Sequence, residues 1–145
     1  MDRITSALNE KGIYAGKTVG DSMKPMLVEG RDTVFIKKPQ FPLKKYDIPV
    51  YKRDDHFTMH RIVRVTKRGY VICGDNRTLL ERDITDNDIV GVLAAFYHNG
   101  QYVEYGDKEY MRYAKRACRT YLVRWFKELR KRIKRKVLRL MKNGM

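Results

Sequence analysis

Long apolar runs are missing from this 145-residue chain. The longest, residues 89–97, is nine residues, far short of the roughly 20 that a membrane-spanning helix needs. The first residues, Met-Asp-Arg-Ile-Thr-Ser, hold no apolar stretch, so no secretory signal is expected and the cytoplasm is the default compartment. Cysteine is scarce: Cys73 and Cys118 do not make a disulfide framework, and each is expected as a small buried hydrophobe. Histidine is scarce too. His56, His60 and His98 form no metal-ligand spacing with each other or with the cysteines, and no metal or cofactor is expected.

Acidic residues are missing from one end only. Residues 1–107 hold 17 Lys/Arg against 15 Asp/Glu, a balance of +2. Residues 108–142 hold 15 Lys/Arg against Glu109 and Glu128, a balance of +13. The basicity of the chain, +15 in all, therefore belongs to its tail. With 43% hydrophobic and 34% charged residues the body is expected to fold around a real core.

Residues 2–11 read as a short helix closed by Gly12. Short strands follow at 13–19, 33–37, 48–52, 57–65, 70–73, 89–96 and 101–105, separated by tight turns. Pro49 places the third at an edge or a bulge. The strand at 57–65 is the longest candidate; it alternates Phe57, Met59, Arg61, Val63 and Val65 against Thr58, His60, Ile62 and Arg64. Residues 74–88 read as a polar loop. From 107 onward the period changes. Ala114, Cys118, Tyr121, Trp125, Leu129, Ile133, Val137 and Leu140 recur at steps of three and four, the mark of a long amphipathic helix or of two helices broken near the middle. The expected fold is mostly β, with a short N-terminal helix and a long basic C-terminal one: a body over 1–106 and a helical tail over 107–145.

The turn Gly20-Asp21-Ser22-Met23-Lys24-Pro25-Met26-Leu27 and the strand segment Met59-His60-Arg61-Ile62-Val63 hold two parts of a nucleophilic hydrolase. A serine hydroxyl keeps its proton near neutral pH, so attack needs a base within reach to take it. The first segment resembles the nucleophile box of type I signal peptidases and LexA-like peptidases. Glu29-Gly30-Arg31-Asp32-Thr33-Val34-Phe35-Ile36 is similar to their second box, with Arg31 inserted between Gly and Asp. Tyr46-Asp47-Ile48-Pro49-Val50-Tyr51 is similar to the third, with Tyr46 in place of a glycine. His60-Arg61-Ile62-Val63 falls where the general base lies. Gly74-Asp75-Asn76-Arg77, with Asp83 and then Asp88-Ile89-Val90-Gly91-Val92, resembles the last. Five boxes in order, over residues 14–97, carry far more than any one of them.

The resemblance implies a signal-peptidase-like β fold and a serine endopeptidase acting on leader or signal peptides after small residues. It implies Ser22 as nucleophile and His60 as base, which is the histidine branch of the endoplasmic-reticulum type; the chain departs from signal peptidases in showing no N-terminal membrane helix, so a soluble variant is expected. A histidine needs little adjustment for that work, its ordinary pKa being near 6.5. Asp83 is the best positional match for the carboxylate that orients the base, with Asp75 and Glu81 as rivals. The Ser22 backbone N–H is the natural oxyanion donor. Some relatives add a serine hydroxyl two residues before the nucleophile, where this chain has Gly20. The substrate is expected as an extended peptide added to a sheet edge. Residues 108–142 offer peripheral contact with a membrane surface, and the lack of any helix-turn-helix before the body disfavours nucleic acid. A rival function on the same fold is a silent peptide-binding or membrane-surface module.

Overall fold

The computed structural model describes residues 2–144. Helix α1 (Arg3–Lys11) starts where Asp2 accepts the Thr5 amide at 2.8 Å and stops at Gly12, whose φ of 74° is the left-handed conformation that favours glycine. Nine antiparallel strands follow: β1 (Ile13–Lys17), β2 (Thr33–Lys37), β3 (Pro49–Arg53), β4 (His56–Met59), β5 (Arg61–Thr66), β6 (Gly69–Cys73), β7 (Glu81–Ile84), β8 (Ile89–His98) and β9 (Gln101–Glu104). One sheet runs β1-β2-β8-β3-β4, with β9 also paired to β8; the other runs β5-β6-β7. The fold is mostly β with a helix at each end, as the strand and helix periodicities predict.

The long strand expected at 57–65 is divided. β4 pairs with β3 in the first sheet and β5 with β6 in the second, so the chain changes sheets across one residue, His60. The alternation expected there fails for the same reason: β5 also slips register between Ile62 and Arg64, and Arg61, Ile62 and Val63 are all buried in succession. The expected loop at 74–88 holds β7 and a 3₁₀ turn, Asp86–Asp88. Strand β7 is short and polar, so no apolar alternation announces it.

Three apolar clusters hold the layers together. The first gathers Leu8, Met23, Met26, Leu27, Val34, Ile36, Leu93 and Phe96 beneath the Ser22 turn. The second, with Tyr51, Ile62, Tyr70, Ile72 and Ile89, joins the two sheets. The third sets Cys118 against Val63, Val71 and Cys73; both cysteines are buried and free.

Helix α2 (Lys108–Asn143) is one uninterrupted helix, capped by Asp107 accepting the amides of Glu109 and Tyr110. Its first three turns bury Tyr110, Ala114, Ala117 and Cys118 against the body. Residues 129–144 are exposed without exception. The first part of the helix expected as a tail thus packs as core.

Candidate active site

Ser22 stands on a turn fastened from both sides. Met23 and Leu27, linked by the Leu27 N–H to the Met23 carbonyl at 3.0 Å, are 4% and 1% exposed. These two anchors fix the turn by apolar burial and leave Ser22 at the surface of a cleft. Gly20 has a φ of 84°, so a serine at that position would be strained. Beyond the turn, Asp32 accepts the amides of Val28 and Asn99 and the Arg31 guanidinium at 2.7 Å. Arg31, the inserted residue of the second box, thus serves its neighbour. Burial would raise the Asp32 pKa, but these donors outweigh it and hold it at about 2.

The segment from Gly74 closes over the turn. The Asn76 amide donates to the Ser22 carbonyl at 2.8 Å, the Asn76 side chain to the Asp21 carbonyl at 3.3 Å, and Arg77 pairs with the Asp21 carboxylate. A Cβ at Gly74 would come within 2.8 Å of the Ser22 carbonyl oxygen and 3.2 Å of its Cβ. Glycine is needed here for close approach rather than for an unusual φ.

His60 occupies the seam between the sheets. Its Nδ1 lies 2.8 Å from Glu81 Oε1, and the Tyr51 hydroxyl donates to the same oxygen at 2.9 Å. Arg53 holds the other oxygen, Oε2, at 2.7 Å. A carboxylate accepts, so Nδ1 carries the proton and Nε2 keeps its lone pair. Burial pushes the His60 pKa down, and the Glu81 hydrogen bond and charge only partly restore it. The imidazole is therefore neutral at pH 7, the form a base requires. Burial and Glu81 together push the Tyr51 phenol well up, so it remains a donor.

Ser22 and His60 line one cleft of about 800 Å³, and no hydrogen bond joins them. Tyr14, Met23, Leu27, Phe57 and Met59 supply its apolar wall, while Lys17, His56 and Arg77 bring positive or titratable groups. β1 and β4, the strands at the two ends of the β1-β2-β8-β3-β4 order, both contribute to it. Among the described residues no cluster of His, Cys, Asp or Glu is placed to hold a metal ion.

The carboxylate in contact with His60 is thus Glu81, not Asp83. Strand β7 pairs Glu81 with Ile72 and Ile84 with Tyr70, three steps against two, and Asp83 sits in the extra position with a φ of 60°. That bulge breaks the alternation that would put 81 and 83 on one face. Glu81 turns in toward His60, and Asp83 is exposed.

Asp75 is engaged elsewhere. Arg61, 0% exposed, grips it through two hydrogen bonds of 2.8 Å. The same guanidinium reaches the Tyr46 carbonyl at 3.2 Å, the Tyr110 hydroxyl at 3.2 Å and the Met26 sulfur at 3.2 Å. Tyr113 donates to Asp75 at 2.9 Å, and Arg61 also lies against both tyrosine rings at 5.6 Å. Burial works against its charge, yet Asp75 keeps it protonated far above the usual range. Arg61 therefore ties the Ser22 box, the third box, the Gly74 segment and helix α2 at one point. The sequence carried a clue to it, since an arginine in line with Phe57, Met59 and Val63 must meet a buried acid. Tyr51 carried none, because a strand tyrosine is ordinary core.

Comparison with curated proteins and with solved structures finds no match. The family model described as Peptidase S24-like matches residues 3–96, which hold Ser22, His60 and Glu81. That span runs from α1 into β8 and carries serine-peptidase-type character, and by it the chain belongs to the Peptidase S24-like family.

Proposed function

We propose that this protein is a serine endopeptidase in which Ser22 is the nucleophile, His60 the general base and Glu81 the carboxylate that orients the base. The observation that carries this is the 2.8 Å contact between His60 Nδ1 and Glu81 Oε1, with Ser22 in the same cleft. Ser22 Oγ attacks a peptide carbonyl carbon as its proton passes to His60 Nε2. The C–N bond then breaks, and the leaving amine takes that proton. Water, deprotonated by the same nitrogen, attacks the ester and releases Ser22. The Ser22–His60 hydrogen bond forms when substrate fills the cleft, a tightening common at such sites. The Ser22 N–H faces the developing oxyanion; Gly20 adds no second side-chain donor.

The substrate is a peptide bound in extended form along the free edge of β1 or β4, both of which border the cleft. With Lys17 and Arg77 and no carboxylate in its lining, the cleft disfavours basic side chains near the bond. We take leader or signal peptides cut after small residues as the substrate class, with His60 as base in the manner of the endoplasmic-reticulum-type branch.

The test is intact-mass analysis after exposure to a serine-directed phosphonate. One adduct on the native protein, absent from Ser22→Ala and strongly reduced in His60→Ala, is expected. If a control serine peptidase reacts while the native protein takes up no adduct, the fold serves as a silent peptide-binding module instead.

A further inference from the structure

Helix α2 outruns the body that holds it. From residue 122 its apolar side chains face outward: Leu122 is 49% exposed, Phe126 57%, Ile133 54% and Leu140 63%. Helical spacing gathers these with Trp125, Leu129 and Val137 into one stripe along residues 122–140. Around the stripe, residues 122–142 carry ten Lys/Arg against one acid, Glu128. That acid is itself taken up by Arg135 at 3.1 Å and Arg132 at 3.9 Å. At 1.5 Å per residue the segment is about 30 Å long. Among the described residues no helix is long and apolar enough to cross a membrane.

Charge decides what covers the stripe. A second copy would bury it, but it would set +9 against +9 across a narrow contact, an arrangement that repels. Nucleic acid would neutralise the lysines and arginines and leave the apolar stripe in water. An anionic phospholipid surface satisfies both, with the stripe entering the acyl boundary and the cationic flanks reaching the headgroups. We propose that residues 122–142 form an interfacial helix that lies on an anionic bilayer. Its root is fixed to the cleft: Arg124 Nε donates to the carbonyl of Arg77 at 3.1 Å, and Arg77 lines the cleft with Ser22. The cleft is thereby held beside the bilayer. The attachment stands on the helix alone and does not require Ser22 to be active.

Trp125 is the chain's one tryptophan, so its emission reports directly on this segment. The full-length protein is mixed with vesicles of phosphatidylcholine alone, or of equal parts phosphatidylcholine and phosphatidylglycerol. Sedimentation with the mixed vesicles and a blue shift of Trp125 emission are expected, with binding at least about tenfold weaker to neutral vesicles and weakened by salt. Ile133→Glu and Leu129→Ser, both on exposed positions, should each lower binding, the first by about tenfold or more, while Ser22→Ala binds as the native protein does. Four results overturn the proposal. The first is no sedimentation or shift with mixed vesicles. The second is binding that salt abolishes but Ile133→Glu leaves unchanged, which is charge without insertion. The third is a blue shift in buffer that grows with protein concentration as light scattering reports a dimer. The last is duplex DNA binding tighter than vesicle binding with Trp125 unshifted.

Discussion

Two adjacent residues, His60 and Arg61, each hold a carboxylate from the same stretch of chain, and the two pairs behave oppositely. The His60–Glu81 pair stands at the cleft, with side chains 13% and 9% exposed, and burial pushes the His60 pKa below its ordinary value while Glu81 pulls it back up. The Arg61–Asp75 pair, at 0% and 3%, is sealed, and its cation never lets go of its proton. In the function proposed above, one pair passes a proton and the other holds layers together. Their closeness shows how the His60 pair is held in place: the sealed Arg61–Asp75 pair fixes the backbone at the adjacent residue.

The comparison can be broken most sharply at His60. His60→Ala should slow phosphonate labelling of Ser22 by about 10²–10⁴-fold, the usual worth of a general base, with the unfolding midpoint little changed. Arg61→Ala should do the reverse. Leaving Asp75 buried without its partner costs about 3–5 kcal/mol, measurable by urea unfolding, and labelling should fall only as the folded fraction falls. An Arg61→Met, Asp75→Leu double variant should recover much of that loss, because replacing both charges removes the orphan. If the double variant is as unstable as Arg61→Ala, the pair is more than a structural tie.

Glu81→Gln sharpens the other side. Labelling should slow by roughly tenfold or more as the imidazole exchanges a charged carboxylate for a neutral amide that no longer stabilises its protonated form. Glu81 raises the His60 pKa against the downward pull of burial, so its removal should move the acidic limb of the pH–rate profile lower. In the native protein that limb lies below the ordinary value of 6.5. Stability should lean the same way: because folded His60 resists protonation, the unfolded chain binds the extra proton as pH drops through 6.5, and stability falls with acid. The smallest effect belongs to Asp83→Asn. The new residue tolerates a positive φ, so stability should stay within about 0.5 kcal/mol and labelling within about twofold of native; a loss matching that of Glu81→Gln would return the orienting role to Asp83.

Much of this was legible in the sequence, and what was not has physical causes. The strands announce themselves by β-branched and aromatic residues, and α2 by its spacing. The Ser22 turn and the His60 segment were readable as local patterns in order along the chain, and the structure brings both to one cleft. Glu81 was readable only as one of three carboxylates, because the choice depends on a bulge whose marker is a left-handed Asp83, and an aspartate gives that conformation no distinct signature. Arg61 read as a strand residue because its partners, Asp75, Tyr110 and Tyr113, lie up to 52 residues away (113 minus 61). The division of the long strand at His60 was hidden as well, since a chain that changes sheets without a turn keeps its apolar pattern.

The Arg61 tie also bears on the order in which this protein comes into being. Ser22 leaves the ribosome early, but the residues that fix its surroundings arrive late: Asp75 and Asn76, then Glu81, then Tyr110 and Tyr113. A nascent chain stopped anywhere before the root of its last helix therefore carries Ser22 without the residues that fix its surroundings. If Ser22 is the nucleophile proposed above, its site is assembled only when the chain is nearly complete.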